Sequence, residues 1–405
     1  MLDDYHWLTG PQADSILQDG SLDAGPLHVA AQRLRRTLSA SRTHLVLQQL
    51  QLRRRAATKF RAADRLFFTE RSLQQATGDV LAGYKAERFA DRGSVIDLCC
   101  GIGGDLMALG GRNGRCDARS CTHGVDADPL MTLLAAANCR RAGLAVQLRA
   151  ADAADCDVAA HAGWHIDPDR RAAGRRTTRL PSFAPDIDQL RVLLERNQNA
   201  AVKLAPATSV PDDWQASAER EWIEHHRECR QQVAWFGELA STSPDLRRGL
   251  CRATWIGGDG RQRDTFAGPR DQAVAAARRL GRYLYEPSPA LLAAGLVGAV
   301  AMHDRLEPIA PGAAYLTSDE EICRRLLSRF EIADVLPFDV RRVKRLLAER
   351  GYGRLELKCR HAPVSIDRLR RQLKVTGDQQ ATVIVTTISD RVTAIVARRI
   401  VPPSP

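Results

Sequence analysis

Four aspartates stand at the ends of four short apolar segments of the chain: Asp97, Asp126, Asp152 and Asp167. Such segments, alternating with stretches of helical periodicity, predict an open α/β sheet wound on both faces. Ligands of these sheets bind at the carboxyl ends of the strands, so we expect the four carboxylates to line one crevice. Carboxylate oxygens accept hydrogen bonds from hydroxyl and amino groups. The pattern predicts a nucleoside-like ligand, with its ribose hydroxyls on Asp126 and an adenine amine near Asp152.

A glycine-rich turn follows the first of these segments. Gly101, Gly103 and Gly104 have no Cβ, so the backbone can approach a ligand closely there. The turn alone also fits nicotinamide and flavin dinucleotides. A phosphate loop of the Walker type is excluded, because no Gly-Lys-Ser/Thr follows the glycines. The aspartates at the strand ends are therefore the more selective part of the pattern.

Hydrophobic periodicity divides the chain into parts of different character. Alternating strand and helix patterns begin near residue 93. The last helix and strands of this α/β part are expected within 219–240 and 251–256, and a further helix over 319–329. We expect an N-terminal helical region, a Rossmann-like doubly wound core, a helical bridge and a small α+β domain, over residues 1–90, 91–268, 269–316 and 317–405 respectively.

Composition and charge limit the class of protein. The chain has 405 residues, of which 44% are apolar and 26% charged, which excludes a disordered protein. At roughly 150 residues per domain this length predicts two or three domains. Lys and Arg number 59 against 48 Asp and Glu, a net charge of +11, and they concentrate in 31–65, 341–374 and 170–179. One such cluster is often a solvated helix face, but three together favour a polyanionic partner.

Membrane, export and metal signals are weak in this sequence. The longest apolar run, residues 290–302, is shorter than the roughly 20 residues that span a bilayer. The start, Met1–Asp4, is acidic and lacks the pattern of a signal peptide. Cys116, Cys121 and His123 approach a metal cluster, but no second ligand pair follows at zinc-finger spacing. We therefore expect a cytoplasmic protein with reduced thiols, no membrane partner and no metal.

At the glycine turn the chain resembles a known family. Asp97–Gly103 is similar to the first motif of class I S-adenosylmethionine-dependent methyltransferases, and Gly124–Asp128 and Ala151–Ala153 resemble their ribose-side and adenine-side motifs. The resemblance covers about residues 60–265 and implies S-adenosyl-L-methionine as the cofactor. Cys99 stands where the commonest pattern has glycine. The implied cofactor-binding residues are Asp97, Cys99, Gly101, Gly103, Gly104, Asp105, Asp126 and Asp152.

More narrowly, the chain resembles actinobacterial methyltransferases that end in a THUMP-like domain. The matching stretches are Phe67–Thr77, Asp167–Arg171, Gly174–Arg176, Tyr283–Pro287 and Pro337–Gly353, with Lys358 and Arg360. The core of that family is similar to trimethylguanosine synthase, which methylates the exocyclic amine of guanine. THUMP domains proper are RNA-binding modules of tRNA-modifying enzymes. The resemblance thus implies an RNA, such as tRNA or rRNA, as partner and substrate.

The segment after the fourth strand is expected to carry catalysis. Amine methyltransferases commonly have Asp or Asn there, then two prolines and an aromatic residue; Asp167 and Pro168 fit, whereas Asp169 and Arg170 depart from this pattern. A side-chain acceptor and a nearby carbonyl can bind both N–H groups of an amine and turn its lone pair toward the methyl donor. The candidate substrate-binding residues are arginines and aromatic side chains that stack on bases: Arg170, Arg171, Arg175, Arg176, Phe67 and Phe68.

Two other functions stay open at this point. A non-catalytic RNA-binding or scaffold protein with a degenerate methyltransferase fold would explain the altered residues after Pro168. A small-molecule methyltransferase would explain the core but would leave the basic clusters and the terminal domain without a role. DNA cytosine methylation is excluded, because the chain has no Pro-Cys pair to supply the nucleophile.

Overall fold

The computed structural model describes residues 2–19, 22, 26–112, 121–170, 177–240 and 249–401. Contacts within the chain divide it into two compact units. The first unit comprises Met1–Glu219, Gln232–Thr242 and Gly258–Gly260, and the second comprises Arg220–Gln231, Ser243–Gly257 and Arg261–Pro405. The segment between residues 220 and 260 therefore contributes to both units.

Helices form the N-terminal part of the first unit. Their bounds are α1 Leu2–Leu8, α2 Pro11–Leu17, α3 Leu27–Leu34, α4 Ala40–Ala56, α5 Glu70–Gln75 and α6 Asp79–Ala86. Ser39 opens α4, because its side chain accepts a hydrogen bond from the backbone of Arg42. Thr69 and Ser72 form a capping box at the start of α5. The apolar sides of these helices pack into one buried cluster that includes Val46.

A sheet of parallel strands follows the helices. The strands are β1 Val95–Leu98, β2 Thr122–Asp126, β3 Val146–Ala150, β4 Gly163–Ile166, β5 Ala200–Leu204, β6 Glu219–His225 and β7 Glu228–Trp235. The helices are α7 Gly104–Gly111, α8 Pro129–Arg141, α9 Ile187–Arg196 and α10 Asp212–Ser217. In the first unit the order is β3-β2-β1-β4-β5 with all pairs parallel, and β7 pairs antiparallel with β5. The order switches direction between β1 and β4, so the expected Rossmann-like core is confirmed.

The register of this sheet sets which residues meet at its carboxyl edge. Leu98, the last residue of β1, is paired with Val125 on β2 and with Ile166 on β4. Asp126 and Asp167 follow those partners directly, so they end on either side of β1. The strand β1 is buried along its whole length, as a central parallel strand requires.

Strands dominate the second unit. Those that follow β7 are β8 Cys251–Ile256, β9 Arg263–Gly268, β10 Tyr283–Pro287, β11 Glu307–Pro308, β12 Leu316–Ser318, β13 Leu327–Pro337, β14 Tyr352–Cys359, β15 Gln379–Ile388 and β16 Arg391–Ile400. The helices are α11 Pro289–Ala294, α12 Val297–His303, α13 Val340–Glu349 and α14 Ile366–Gln372. β10 to β16 form one sheet in the order β11-β12-β10-β13-β16-β15-β14. The helices α13 and α14 pack on this sheet through Val343, Leu347 and Leu369.

Three sequence expectations differ from these elements. The segment 219–240, expected to contain a helix, forms β6 and β7, and 319–329 contains no helix among its described residues. The expected helical bridge, 269–316, holds two short helices but also β10 and β11. β6 was not recognised because both of its faces are buried and each carries a glutamate, Glu221 on one and Glu224 on the other, which masks the strand periodicity. Among the described residues, no helix is long and apolar enough to cross a bilayer.

Candidate active site

A crevice of about 480 Å³ opens at the carboxyl edge of the parallel strands in the first unit. Its wall contains Asp97, Asp126, Asp152 and Asp167, so the structure brings together carboxylates that lie far apart in sequence. Their convergence follows from the parallel register, because every strand of the core delivers its last residue to the same edge.

The glycine turn after β1 shapes one side of the crevice. Gly101 and Gly103 have φ angles of +53° and +88°, in the left-handed region that favours glycine. A Cβ on Gly104 would lie 2.6 Å from the backbone oxygen of Thr77, so only glycine permits this close packing. Cys99 also has a left-handed φ, +54°, which explains why glycine is the commoner residue at that place in the motif.

Asp126 is held by the turn that it faces. Its Oδ2 accepts a hydrogen bond from the backbone N–H of Gly101 at 2.8 Å, and its Oδ1 accepts one from Asp128 at 2.9 Å. Each oxygen keeps a second lone pair for a ligand hydroxyl. Burial raises the pKa of Asp126, and these two backbone donors oppose that rise. Asp152 is held in a similar way, because its Oδ1 accepts from the backbone of Ala154 at 2.9 Å.

Asp97 lies deeper in the crevice wall, with only 1% of its surface exposed. Its Oδ1 is 2.7 Å from Nδ1 of His165, whereas its Oδ2 is buried and has no hydrogen-bond partner. Burial raises the pKa of Asp97, and His165 opposes the rise. A buried acceptor without a donor costs free energy, so a ligand with a donor or a positive charge fits this place.

Asp105, on the first turn of α7, is bound to the protein itself. Its carboxylate lies 2.7 Å from Nζ of Lys85 and accepts a 2.7 Å hydrogen bond from the hydroxyl of Thr77. Burial alone would raise the pKa of Asp105, but Lys85, His165 and Lys203 hold it well below the ordinary value. Lys85, Thr77 and His165 were not predicted as site residues from the sequence.

The part of the crevice wall around Asp167 is polar. Asp167 is 27% exposed at its side chain and forms an ion pair with Lys203, the side chain of which is 9% exposed. Pro168 and Arg170 also line the crevice. Asp169 pairs with Arg71 of α5 at 2.9 Å. Lys203 was not predicted as a site residue, and its position near the end of β5 was the one feature of the sequence that pointed to this site.

The two aromatic residues expected to bind substrate are in the core. Phe67 and Phe68 are 0% and 1% exposed and belong to the cluster formed by the N-terminal helices. The expectation that they stack on a base is therefore wrong: their backbone amides bind Asn138 and Gln49, and their rings fill the interior. The described residues of the crevice wall include no aromatic side chain. The remaining candidates, Arg171, Arg175 and Arg176, lie outside the described residues.

In the described parts of the chain, no three His, Cys, Asp or Glu side chains are grouped so that they could hold an ion. Cys121 and His123 are described, whereas Cys116 lies outside the described residues. His123 is in ring contact with His161, with centroids 4.7 Å apart.

Comparison with known proteins identifies the family of this chain. Relatives from two strains of Mycobacterium tuberculosis, CDC 1551 and H37Rv, are 30% identical to it over 359 residues, covering 86% of this chain and 94% of each relative. Both are named as S-adenosylmethionine-dependent methyltransferases. The chain belongs to the S-adenosylmethionine-dependent methyltransferases. S-adenosylmethionine is thus its cofactor, and the protein is an enzyme rather than a non-catalytic scaffold.

A solved structure shares the fold of this chain, and a domain family matches its C-terminal end. A protein assigned as a methyltransferase from Porphyromonas gingivalis W83 matches with a TM-score of 0.75 at 21% identity, over 90% of this chain and 92% of that one. At this identity the likeness shows the fold. Residues 327–399 match the THUMP domain-like family, so the expected THUMP-like domain at the C-terminal end is confirmed.

The residues of the crevice fit this methyltransferase cofactor. The orphaned Oδ2 of Asp97 suits a cationic or N–H-bearing group, and the two oxygens of Asp126 suit neighbouring hydroxyls. Around Gly101 a Cβ would meet no atom within 4 Å, so the turn faces open space that a ligand can enter. S-adenosylmethionine combines such groups: an amino acid amine, a sulfonium and a ribose.

Proposed function

We propose that this methyltransferase transfers a methyl group to an exocyclic base amine of RNA, with Asp167 as the catalytic residue. The observation that carries the proposal is that Asp167 lines the same crevice as Asp97, Asp126 and Asp152, the carboxylates assigned to the cofactor. Such a substrate would place the enzyme in the cytoplasm, with tRNA or rRNA.

Binding of the cofactor is assigned to one side of the crevice. Asp126 would accept the ribose hydroxyls and Asp152 the adenine amine, while Asp97 would face the methionine part. Gly101, Gly103 and Gly104 would let the backbone approach it, with Cys99 and Asp105 adjoining. S-adenosylmethionine supplies a methyl group that its sulfonium already activates, so no metal is required.

The acceptor amine is assigned to the other side. Asp167 would accept one N–H and the backbone near Pro168 the other, which turns the nitrogen lone pair toward the methyl carbon. The N–C bond would form as the bond between the methyl carbon and the sulfonium sulfur breaks, with S-adenosylhomocysteine as the leaving group, and the carboxylate of Asp167 can receive the proton that the nitrogen gives up. The 27% exposure of this side chain then offers the proton a direct route to water.

RNA as the acceptor is supported by the terminal domain. The helix α13 buries Val343 and Leu347 against the sheet and exposes its cations to solvent. The same division holds for α14, which buries Leu369. The exposed cations of the two helices are Arg341, Arg342, Lys344, Arg345, Arg368, Arg370 and Arg371. Rows of this kind bind phosphates without sequence preference.

A small-molecule acceptor is the second candidate function. It is favoured by the absence of an aromatic side chain from the described crevice wall, because a base usually stacks on an aromatic ring. An arginine such as Arg170 can also stack on a base, and for that reason we favour RNA.

Radiolabel transfer separates the two acceptors. The full chain would be incubated with S-[methyl-³H]-adenosylmethionine and either in vitro transcribed tRNA and rRNA or a small-molecule cell extract. Label in an RNA nucleoside, abolished by Asp167→Ala while the Kd for the cofactor is unchanged, is the expected result. Label only in the small-molecule fraction would overturn the RNA assignment, and turnover by Asp167→Ala would remove this residue from catalysis.

A further inference from the structure

A continuous chain of buried polar contacts runs beneath the crevice. It begins at Asp97 on the cofactor side and ends at Asp167 on the acceptor side. Every link is a hydrogen bond or an ion pair between side chains. The links from Asp97 to Lys203 have lengths of 2.7 to 3.0 Å, and the last link is the ion pair between Lys203 and Asp167. In order, its members are Asp97, His165, Lys85, Asp105, Thr77, Lys203 and Asp167.

We propose that Lys203 is a positioning residue for Asp167, and that the buried series of polar contacts from Asp97 to Thr77 fixes Lys203 in place. The proposal rests on the proposed function, because it gives Asp167 the catalytic role. It adds a residue of β5 to the machinery of methyl transfer.

The contact between Lys203 and Asp167 fixes one oxygen of the carboxylate. Lys203 Nζ engages Oδ2 of Asp167, which leaves Oδ1 as the oxygen that can accept a proton-bearing nitrogen. The ammonium is almost buried, so water competes weakly for it and the pair is stronger than a surface ion pair. One carboxylate oxygen is thus fixed by protein and the other is presented to the crevice.

Thr77 links Lys203 to Asp105. Lys203 donates to the hydroxyl oxygen of Thr77 at 3.0 Å, and that hydroxyl donates to Asp105 at 2.7 Å. Its donor and one of its acceptor sites are therefore both in use, which fixes the direction of the hydrogen bonds. The backbone of Thr77 is itself in close contact with Gly104, so the hydroxyl is anchored to the glycine turn.

His165 and Lys85 link Asp97 to Asp105 in the deeper part of this series of contacts. Nε2 of His165 is 3.0 Å from Nζ of Lys85. An ammonium has only donors, so we assign Nε2 as the acceptor and place the imidazole proton on Nδ1, facing Asp97. Burial lowers the pKa of Lys85, and Asp105 opposes that shift. Lys85 pairs with Asp105 and Lys203 pairs with Asp167, so each buried ammonium has a carboxylate beside it, while the neutral imidazole of His165 lies between Asp97 and Lys85.

A direct contact between Lys203 and an RNA phosphate does not fit this arrangement. Only 9% of the side chain is exposed, and two of its three donors are used by Asp167 and Thr77. A phosphate would have to break the pair with Asp167 to reach it. Positioning is the role that its partners support.

Four variants of the protein test the proposal. Lys203→Met removes the charge but keeps the length of the side chain, and Lys203→Arg keeps the charge. Asp167→Asn alone and Lys203→Met combined with Asp167→Asn together measure the coupling of the two residues. The matched control is Arg88→Met, which removes a similarly buried cation: Arg88 pairs with Glu219 at 2.9 Å and does not line the crevice. The readouts are the kcat of methyl transfer to RNA, the Kd for S-adenosylmethionine, and crystal structures with S-adenosylhomocysteine.

The expected result is a split between turnover and cofactor binding. Lys203→Met should lower kcat by about 10²-fold, the usual scale for misplacement of a catalytic group by about 1 Å, with an unchanged Kd for the cofactor. Lys203→Arg should recover part of the loss, and Arg88→Met should keep the wild-type kcat. The double variant should be no slower than Asp167→Asn alone, because Lys203 acts through that carboxylate.

The crystal structures decide the proposal even without an RNA acceptor. A side chain of Asp167 that has turned away from its wild-type position in Lys203→Met supports positioning. An unmoved Asp167 together with a wild-type kcat, or with losses of kcat that add in the double variant, overturns it. If the wild-type enzyme labels no RNA, the proposed function fails by itself, and the position of Asp167 in the two structures alone decides the role of Lys203.

Discussion

At the scale of single residues, the carboxylates of the crevice are oriented before a ligand arrives. Asp126 is held by two backbone amides, and Asp167 is held by Lys203. Fixed acceptors need no reorganisation when the ligand or the transition state forms, which is the main source of electrostatic stabilisation in enzymes. The sequence allowed Asp126 and Asp167 to be named, because strand ends can be recognised by pattern. The sequence did not reveal that Lys203 pairs with Asp167 or that Thr77 binds Lys203, because those contacts depend on packing between distant elements.

The assignment of Asp126 gives a binding prediction. Asp126→Ala should raise the Kd for S-adenosylmethionine by about 10- to 100-fold, because the ribose hydroxyls lose charge-assisted hydrogen bonds worth about 1.5–3 kcal/mol. Asp126→Asn should be intermediate, since it keeps one acceptor oxygen. Isothermal titration calorimetry provides the measurement. The control is Asp157→Asn, which alters a helix cap outside the crevice; equal affinities of Asp126→Ala and wild type would refute the assignment.

The cysteines of the glycine turn give a chemical prediction. Burial raises the pKa of Cys99 and of Cys100 well above that of a free thiol, and nearby aspartates raise them further. At pH 8 both should stay protonated and react slowly with iodoacetamide, whereas exposed Cys323 should react first. Peptide mass spectrometry after timed alkylation measures this, with all ten cysteines alkylated in urea as the control. Native labelling of Cys99 as fast as Cys323 would contradict the raised pKa of the Cys99 thiol.

At the scale of elements, the parallel strands were predictable and parts of the second unit were not. β1 and β4 are short apolar segments ended by turn residues, the pattern that a buried parallel strand requires. β6 has buried charged residues, so its sequence resembles the exposed face of a helix. β10 lies in the segment that was expected to be a helical bridge, yet all its residues are buried in a sheet. Both β6 and β10 form strands because they pair with strands that are distant in sequence, and no local pattern reveals such pairing.

The contact between the glycine turn and Thr77 gives a stability prediction. Gly104→Ala should lower the free energy of unfolding by about 1–3 kcal/mol, because its Cβ would lie 2.6 Å from a backbone oxygen. The matched control is Gly83→Ala on α6, where a Cβ meets nothing within 4 Å. That change should raise stability by about 0.5–1 kcal/mol, because alanine favours the helix. Urea unfolding of the two variants measures the difference, and equal effects would show that Thr77 does not confine the turn.

At the scale of the whole molecule, the net charge is +11, and a group of exposed cations lies in the terminal domain. The sequence indicated a polyanionic partner from clusters of basic residues, and the structure describes several of those cations on the solvent side of α13 and α14. Val343 and Leu347 are one helical turn apart in the sequence, and both are buried in α13. The sequence does not reveal which sheet face the helix covers, since that follows from the strand order.

The basic side of α13 gives a prediction of salt dependence. Replacing Arg341, Arg342, Lys344 and Arg345 with alanine should weaken RNA binding and reduce the slope of log Kd against log salt by about 0.7–0.9 for each phosphate that the helix no longer binds. Filter binding between about 50 and 200 mM salt measures the slope. The control is Arg191→Ala, an exposed arginine that Asp188 and Asp213 already neutralise. An unchanged slope would exclude α13 from the RNA interface.

Mass spectrometry of modified nucleosides tests the central claim most directly. Total tRNA and rRNA would be compared between the source organism, its deletion strain, and the deletion strain carrying either the wild-type gene or the Asp167→Ala variant. We predict one base-methylated nucleoside that disappears on deletion, returns with the wild-type gene and stays absent with Asp167→Ala. Identical nucleoside profiles in the parent and deletion strains, or full restoration by Asp167→Ala, would contradict the claim.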